Sequence, residues 1–194
     1  MTYRAIVALA LVLGGCATAP TTPTAAVDPG RLREWRATGR MALAVDGRGG
    51  SGSFTWQQRD LATTLSIRGP LGAGAMQIVA EGDAIAATDG EGRNVDTGPA
   101  RAMLRERLGA DLPIAELRYW MLGLPSPDSP ARVAVAAGTP SRVIEQSGWR
   151  IGYDAFRATG GLSLPARFSA VQGVVRLKVV IDDWTLPASS GPGP

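Results

Sequence analysis

The sequence predicts an α+β domain dominated by antiparallel strands, and three observations predict it. Apolar residues alternate with polar ones over short runs along most of the chain, which is the period of a strand with one covered face. Glycine-containing turn signals separate many of those runs at hairpin spacing. The helical patterns are short, and two of the three fall together between the early strands and the late ones. That order is expected when helices are segregated to one side of an antiparallel sheet.

The elements follow in order. A first short helix is expected over 31–37, with Leu32 and Trp35 three apart on one side. Met41, Leu43 and Val45 then share a strand face, and Phe54 and Trp56 share the next. The glycine-rich segment 47–52 lies between them and reads as a flexible hairpin turn. Leu65 and Ile67, then Met76 and Ile78, continue the alternation. A second helix is expected from Thr97, with Pro99 suited to its first turn and Ala100, Leu104 and Leu108 on one stripe, stopping at Gly109. A third runs from Pro113, aligns Ile114, Leu117 and Met121, and ends at Gly123 before Pro125. Late in the chain, 142–146 and 149–153 flank a Ser147-Gly148 turn, and 166–171 and 174–182 flank Gln172-Gly173. Val175, Leu177, Val179 and Ile181 line one face of the last strand, with Arg176 and Lys178 on the other, so one face of the sheet is covered and one is partly wet. A curved sheet with helices across its mouth encloses an apolar space.

Ahead of this domain, Arg4 precedes an uncharged apolar run over 5–13, and Leu13-Gly14-Gly15-Cys16 follows. A positive start, a short apolar stretch and small residues at a cut are the marks of a secretory signal. The run is far shorter than the roughly 20 residues that span a bilayer. Leu-Gly-Gly-Cys matches the bacterial lipobox, and Cys16 is the only cysteine in the chain. The expectation is therefore a signal peptide over 1–15, cut before Cys16, with diacylglyceryl and N-acyl lipid on that cysteine and no other cofactor. Residues 17–30, rich in Pro, Thr and Ala, lack the apolar surface to offset ordering entropy and read as a tether. Residues 187–194 read as a disordered tail for the same reason, which leaves a folded domain over 31–186.

Several chemistries are excluded. The net charge is +3, with arginines interleaved among acids, so no nucleic-acid stripe is present. Disulfides need a second cysteine, and the absence of histidine removes imidazole metal sites and His-dependent triads. Gly47-Arg48-Gly49-Gly50-Ser51-Gly52 fits G-x-G-x-x-G, but a strand follows it where a phosphate-binding version needs a helix. Asp182 and Asp183 are adjacent on a strand, so they should face opposite ways. No Ser sits in G-x-S-x-G, and Lys178 is the only lysine, so no enzyme is expected. Two features stay open on the residues alone. The tryptophans Trp35, Trp56, Trp120, Trp149 and Trp184 suit either core packing or the walls of an acyl-chain cavity. Leu71, in the strand-breaking loop Arg68-Gly69-Pro70-Leu71-Gly72-Ala73-Gly74, is either tucked against the domain or an exposed apolar tip.

Taken in order, Phe54-Thr55-Trp56-Gln57-Gln58, Gly69-Pro70-Leu71-Gly72, Leu117-Arg118-Tyr119-Trp120-Met121-Leu122-Gly123-Leu124-Pro125, Gln146-Ser147-Gly148-Trp149-Arg150-Ile151-Gly152-Tyr153, Leu164-Pro165-Ala166-Arg167-Phe168 and the run from Leu177 to Trp184 resemble the LolB family of outer-membrane lipoprotein receptors. The match departs at Gly69, where family members often carry Asn, and over 133–137, which does not align. The resemblance implies an incomplete antiparallel β-barrel closed by short helices around an apolar cavity. It implies a protein that accepts lipoproteins from a soluble periplasmic carrier and inserts them into the inner leaflet of the outer membrane. Its partners are then the carrier, client lipoproteins and outer-membrane phospholipid, with a monomer the simplest state. A leucine on a protruding loop assists insertion in that family, and Leu71, between Pro70 and Gly72, is the matching position. Ala17, after the lipidated cysteine, fits an outer-membrane address, since Asp there favours inner-membrane retention in enteric bacteria. The expected cavity lining is Leu43, Phe54, Trp56, Leu65, Ile67, Met76, Ile78, Leu177 and Val179 from strands, with Leu104, Leu117 and Met121 from helices as a lid. A lipoprotein carrying a different lipid, such as lipopolysaccharide or a quinone, an envelope-assembly scaffold, and a lipid hydrolase are the alternatives.

Overall fold

The computed structural model describes residues 28–70, 75–82, 84–95, 97–108, 111–135 and 141–187. The proposed signal peptide, Cys16 and most of the tether lie outside the described residues, as do Leu71, Gly72 and the end of the chain. A short 3-10 turn, Pro29–Arg31, is capped by the Asp28 carboxylate, which accepts from the Gly30 amide at 2.9 Å. Strands β1 (Glu34–Val45), β2 (Arg48–Arg59), β3 (Ala62–Arg68), β4 (Met76–Glu81), β5 (Ala84–Asp89) and β6 (Asn94–Val95) follow. Helices α1 (Thr97–Leu108) and α2 (Ile114–Met121) come next. Strands β7 (Ala131–Val135), β8 (Arg142–Gln146), β9 (Trp149–Thr159), β10 (Leu162–Gln172) and β11 (Val175–Thr185) complete the domain.

All described strands join one antiparallel sheet in the order β6-β5-β4-β3-β2-β1-β11-β10-β9-β8-β7. Each strand pairs with its sequence neighbour except at the centre, where β1 pairs with β11 and brings the two ends of the domain together. The outer strands β6 and β7 do not pair with each other, so the sheet is an open barrel. Alternation sets its faces. Along β2 the even positions Phe54, Trp56 and Gln58 are buried, and along β4 Met76, Ile78 and Ala80 are. Helix α2 buries Ile114, Leu117, Trp120 and Met121, a spacing that covers one helical face. It ends in a Schellman motif: Leu124 N–H donates to the Tyr119 carbonyl and Gly123 N–H to that of Trp120, both at 3.0 Å, with Gly123 at φ +77°. Helix α1 packs against β5 and buries Ala100.

Four local expectations are corrected. The segment 31–37 is a turn and the start of β1, because Trp35, Ala37 and Gly39 are buried between exposed Glu34, Arg36 and Arg40. That alternation lets β1 pair on both sides, which outweighs helix propensity. The glycine-rich turn is only Asp46-Gly47, both at positive φ as a two-residue hairpin requires, and Gly49, Gly50 and Gly52 lie in β2. The last hairpin turns at Gly173-Val174, one residue later than expected, because Gln172 still pairs with Val175. Asp182 and Asp183 are both exposed, since a bulge opposite Thr38 and Gly39 leaves Asp182 unpaired with β1 and shifts the alternation. Strands β5, β6 and β7 were not anticipated.

Candidate functional site

The inner face of the sheet differs at its two ends. At the end where β1 begins and β2 and β11 finish, the interior is filled. Trp35 stacks on Trp56 with ring centroids 5.9 Å apart and meets Trp184 at 5.3 Å. The Trp56 indole N–H donates to Gln58 Oε1 at 3.1 Å, Thr63 donates to the same oxygen at 2.8 Å, and Trp184 donates to the Pro165 carbonyl at 3.0 Å. The indole donors of Trp56 and Trp184 are thus satisfied, as a dry core requires.

A second aromatic group fixes α2 to the β8–β10 side. Trp120 lies 6.0 Å from Trp149, and the Tyr153 hydroxyl donates to the Trp120 carbonyl at 2.8 Å. Burial holds the Tyr153 phenol far above its ordinary range, so it stays a neutral donor. Gln146 is the hub: its Oε1 accepts from Trp120 Nε1 and the Ser126 amide, each at 2.9 Å, while its Nε2 donates to the Ser126 and Ser129 carbonyls, each at 2.8 Å.

The other end is hollow. A cleft of about 420 Å³, mostly apolar, is lined by Met41 and Leu43 of β1, Gly49 to Gly52 of β2, Ile67 and Gly69, Met76, Leu112 and Leu177. Its origin is legible in β2. Gly50 and Gly52 fall on the inner row that Phe54, Trp56 and Gln58 continue, opposite Leu43 and Met41. A Cβ on Gly50 would meet nothing within 4 Å, so the missing side chain leaves open space. Gly52 has a different constraint, because a Cβ there would lie 2.3 Å from the Arg68 carbonyl oxygen. One glycine hollows the cleft and the other lets β2 press against the end of β3. The volume sits at the low end of the roughly 300–1,000 Å³ typical of ligand sites. At the ~30 Å³ that one water occupies, a similar size to a methylene, it holds roughly fourteen such units, about one acyl chain.

The expected cavity residues divide. Leu43, Ile67, Met76 and Leu177 line the cleft. Phe54, Trp56, Leu65, Ile78, Val179, Leu117 and Met121 are in the closed core and do not line it, because the tryptophan end and α2 cover them. The Leu104 side chain lies outside the described residues. Pro70 is exposed. Gly69 and Met76 are in the cleft wall, and Leu71 and Gly72 lie outside the described residues. Sequence reasoning missed Met41, Leu112 and the β2 glycines. Met41 was on the right alternation, and the glycines were noticed but assigned to a turn.

Fold and site together define a half-barrel protein with a tryptophan-packed base and an apolar, glycine-walled cleft at the opposite end. The family model for "Outer membrane lipoprotein LolB" matches residues 33–184. A protein named outer-membrane lipoprotein LolB from Marinomonas sp. is 31% identical over 192 residues, covering 96% of this chain and all of that one. Namesakes from Alkalilimnicola ehrlichii and Pseudomonas aeruginosa are 34% and 33% identical, covering 91% and 89% of this chain and 93% and 84% of their own lengths. Among solved structures, a DUF1329 family protein from Desulfovibrio piger shares the fold at 7% identity and a TM-score of 0.52, over 84% of this chain and 89% of its own. The chain belongs to the outer membrane lipoprotein LolB family.

Proposed function

We propose that this protein is the membrane-anchored acceptor at the end of a lipoprotein delivery route. It resides on the periplasmic face of the outer membrane, held by lipid on Cys16. It takes client lipoproteins from a soluble periplasmic carrier and passes them to the inner leaflet. The apolar cleft carries this reading, because it shields an acyl chain from water. Transfer requires no bond to be made or broken, and the protein acts as a monomeric binding module rather than an enzyme. Burial in the cleft removes about 0.8 kcal/mol of unfavourable hydration per methylene, and the bilayer offers the same for every chain, so affinity alone sets the direction of travel. More than one chain on Cys16 makes the anchor firm where a single chain would be marginal. Leu71 eases the last step by entering the bilayer ahead of the client.

The reading is tested by mixing a carrier loaded with radiolabelled lipoprotein with this protein in vesicles. Client should move onto the protein and then into lipid. Leu71→Glu should keep the first movement and impair the second. No movement from an active, cognate carrier would refute the acceptor role, and equal delivery by Leu71→Glu would refute the role of the loop.

A further inference from the structure

The tether joins the domain at the wrong end for delivery. Strand β1 starts beside Trp35, at the filled base, and its twelve residues run about 40 Å to the cleft end. Residues 16–27, fully extended, reach about the same 40 Å. The anchor therefore permits the cleft mouth to touch the membrane but does nothing to hold it there.

The surface around the mouth supplies what the tether lacks. Val174, in the β10–β11 turn, is 59% exposed. The turn is braced, since the Asp46 amide of the β1–β2 turn donates to the Val174 carbonyl at 3.1 Å. Strand register gathers cations about this double turn. Arg176 faces Ala44 of β1 and Val171 of β10, and Lys178 faces Ala42 and Ser169. Arg48 opens β2 opposite Val45, and Arg68 closes β3 opposite Ser53. All four are exposed, and none forms an ion pair with a described residue. By contrast Arg40 and Arg167 are engaged by Asp182 and Asp154. The acids toward this end are Asp46, Asp89, Glu91, Asp111, Glu116 and Glu145, and most are engaged: Asp89 and Glu91 by Arg93, Asp111 by Arg105, Glu145 by Arg150, and Glu116 by the Ser129 and Ser147 hydroxyls. The mouth thus combines an exposed apolar tip with positive charge that no described residue pairs, the composition that suits an anionic lipid surface.

We propose that the paired β1–β2 and β10–β11 turns form a second membrane contact, in which Val174 enters the interfacial layer and Arg48, Arg68, Arg176 and Lys178 bind lipid phosphates. The contact rests on the acceptor reading for its purpose, and it holds the cleft mouth against the bilayer while the tether fixes only the distance. The Asp60-Leu61 turn at the opposite end, where Leu61 is 55% exposed between β2 and β3, lies away from the membrane.

The experiment uses the full mature, lipidated protein in vesicles, without carrier or client, so it reads out whether or not lipoprotein transfer occurs. Val174→Cys and Leu61→Cys are labelled separately with a fluorophore, which is site-specific because the chain's single cysteine carries the lipid. Vesicles of phosphatidylethanolamine with either phosphatidylglycerol or phosphatidylcholine carry a headgroup-level quencher. Quenching at 174 should exceed that at 61 at least threefold in the anionic vesicles. That excess should collapse with Arg48→Gln, Arg176→Gln and Lys178→Gln combined, and persist when both arginines become lysine. Equal quenching at the two ends, or an excess indifferent to lipid charge, overturns the proposal. In a separate mixture with loaded carrier, a glutamine variant that keeps its lipid depth but no longer captures client also overturns it, and assigns the cations to docking an acidic carrier surface.

Discussion

Gly50→Leu tests whether the cleft holds the acyl chain. The substituted position lies on the inner row of β2, and a Cβ there meets no atom within 4 Å. The side chain therefore enters space already empty, and the fold has no clash to resolve. Its four carbons occupy volume that about four ligand methylenes would otherwise fill. At about 0.8 kcal/mol for each, the displaced contacts amount to about 3 kcal/mol, roughly a hundredfold in dissociation constant. The assay is titration of a fluorescent fatty-acyl probe against the two proteins, with thermal melts run in parallel. Thr55→Leu, on the outer row of the same strand, controls for added hydrophobicity. A Gly50→Leu protein that melts like the parent and binds the probe equally well would refute the assignment of the cleft. A large drop in melting temperature would refute the claim that the space is free.

Three further outcomes follow from the packing. Gly39→Ala puts a methyl 2.1 Å from the Val180 carbonyl oxygen and 3.0 Å from the Phe54 ring, at the bulge between β1 and β11. It should lower stability by about 3 kcal/mol, read as a shifted denaturant midpoint. Gln146→Leu leaves the buried Trp120 indole N–H and the Ser126 amide without their acceptor, and should lower stability by about 3 kcal/mol on the same assay. Arg93 bonds the Asp89 carboxylate and holds it below its ordinary value of 3.8, so the folded protein resists protonation that the unfolded chain accepts. That stabilisation is complete above the ordinary value and is lost as pH falls through the lowered folded one. Acid melts should therefore steepen below about pH 4 in the parent and flatten in Asp89→Asn.

The fold was legible where alternation and turn chemistry agreed, as in Met76 with Ile78 and at Ser147-Gly148. It was misread where a local pattern had two solutions. Leu32 and Trp35 are three apart on a helix, yet Trp35, Ala37 and Gly39 also alternate on a strand, and only pairing with both β2 and β11 decides between them. The site was legible in its general place and not in its walls. Trp56 and Leu43 look equally suited to a cavity in sequence, since both are large and apolar on inner rows. What separates them is position along the strand relative to residues far away: Trp56 meets Trp35, while Leu43 faces Gly50. A cavity is made by a missing side chain as much as by those that surround it, and a glycine in a strand reads first as a turn.

The division between a filled base and a hollow mouth reaches into how this protein changes over generations. Amide exchange should be slowest beside Trp35, Trp56 and Trp184, where opening exposes most apolar surface, and faster toward the mouth, where Met41, Leu43 and Ile67 are only partly buried. Substitutions at Met41, Leu43, Gly50 or Leu112 change the walls of the cleft while leaving the Trp35, Trp56 and Trp184 contacts untouched. Along β1 and β2, core packing and the fit to a ligand are thus assigned to opposite ends of the same strands.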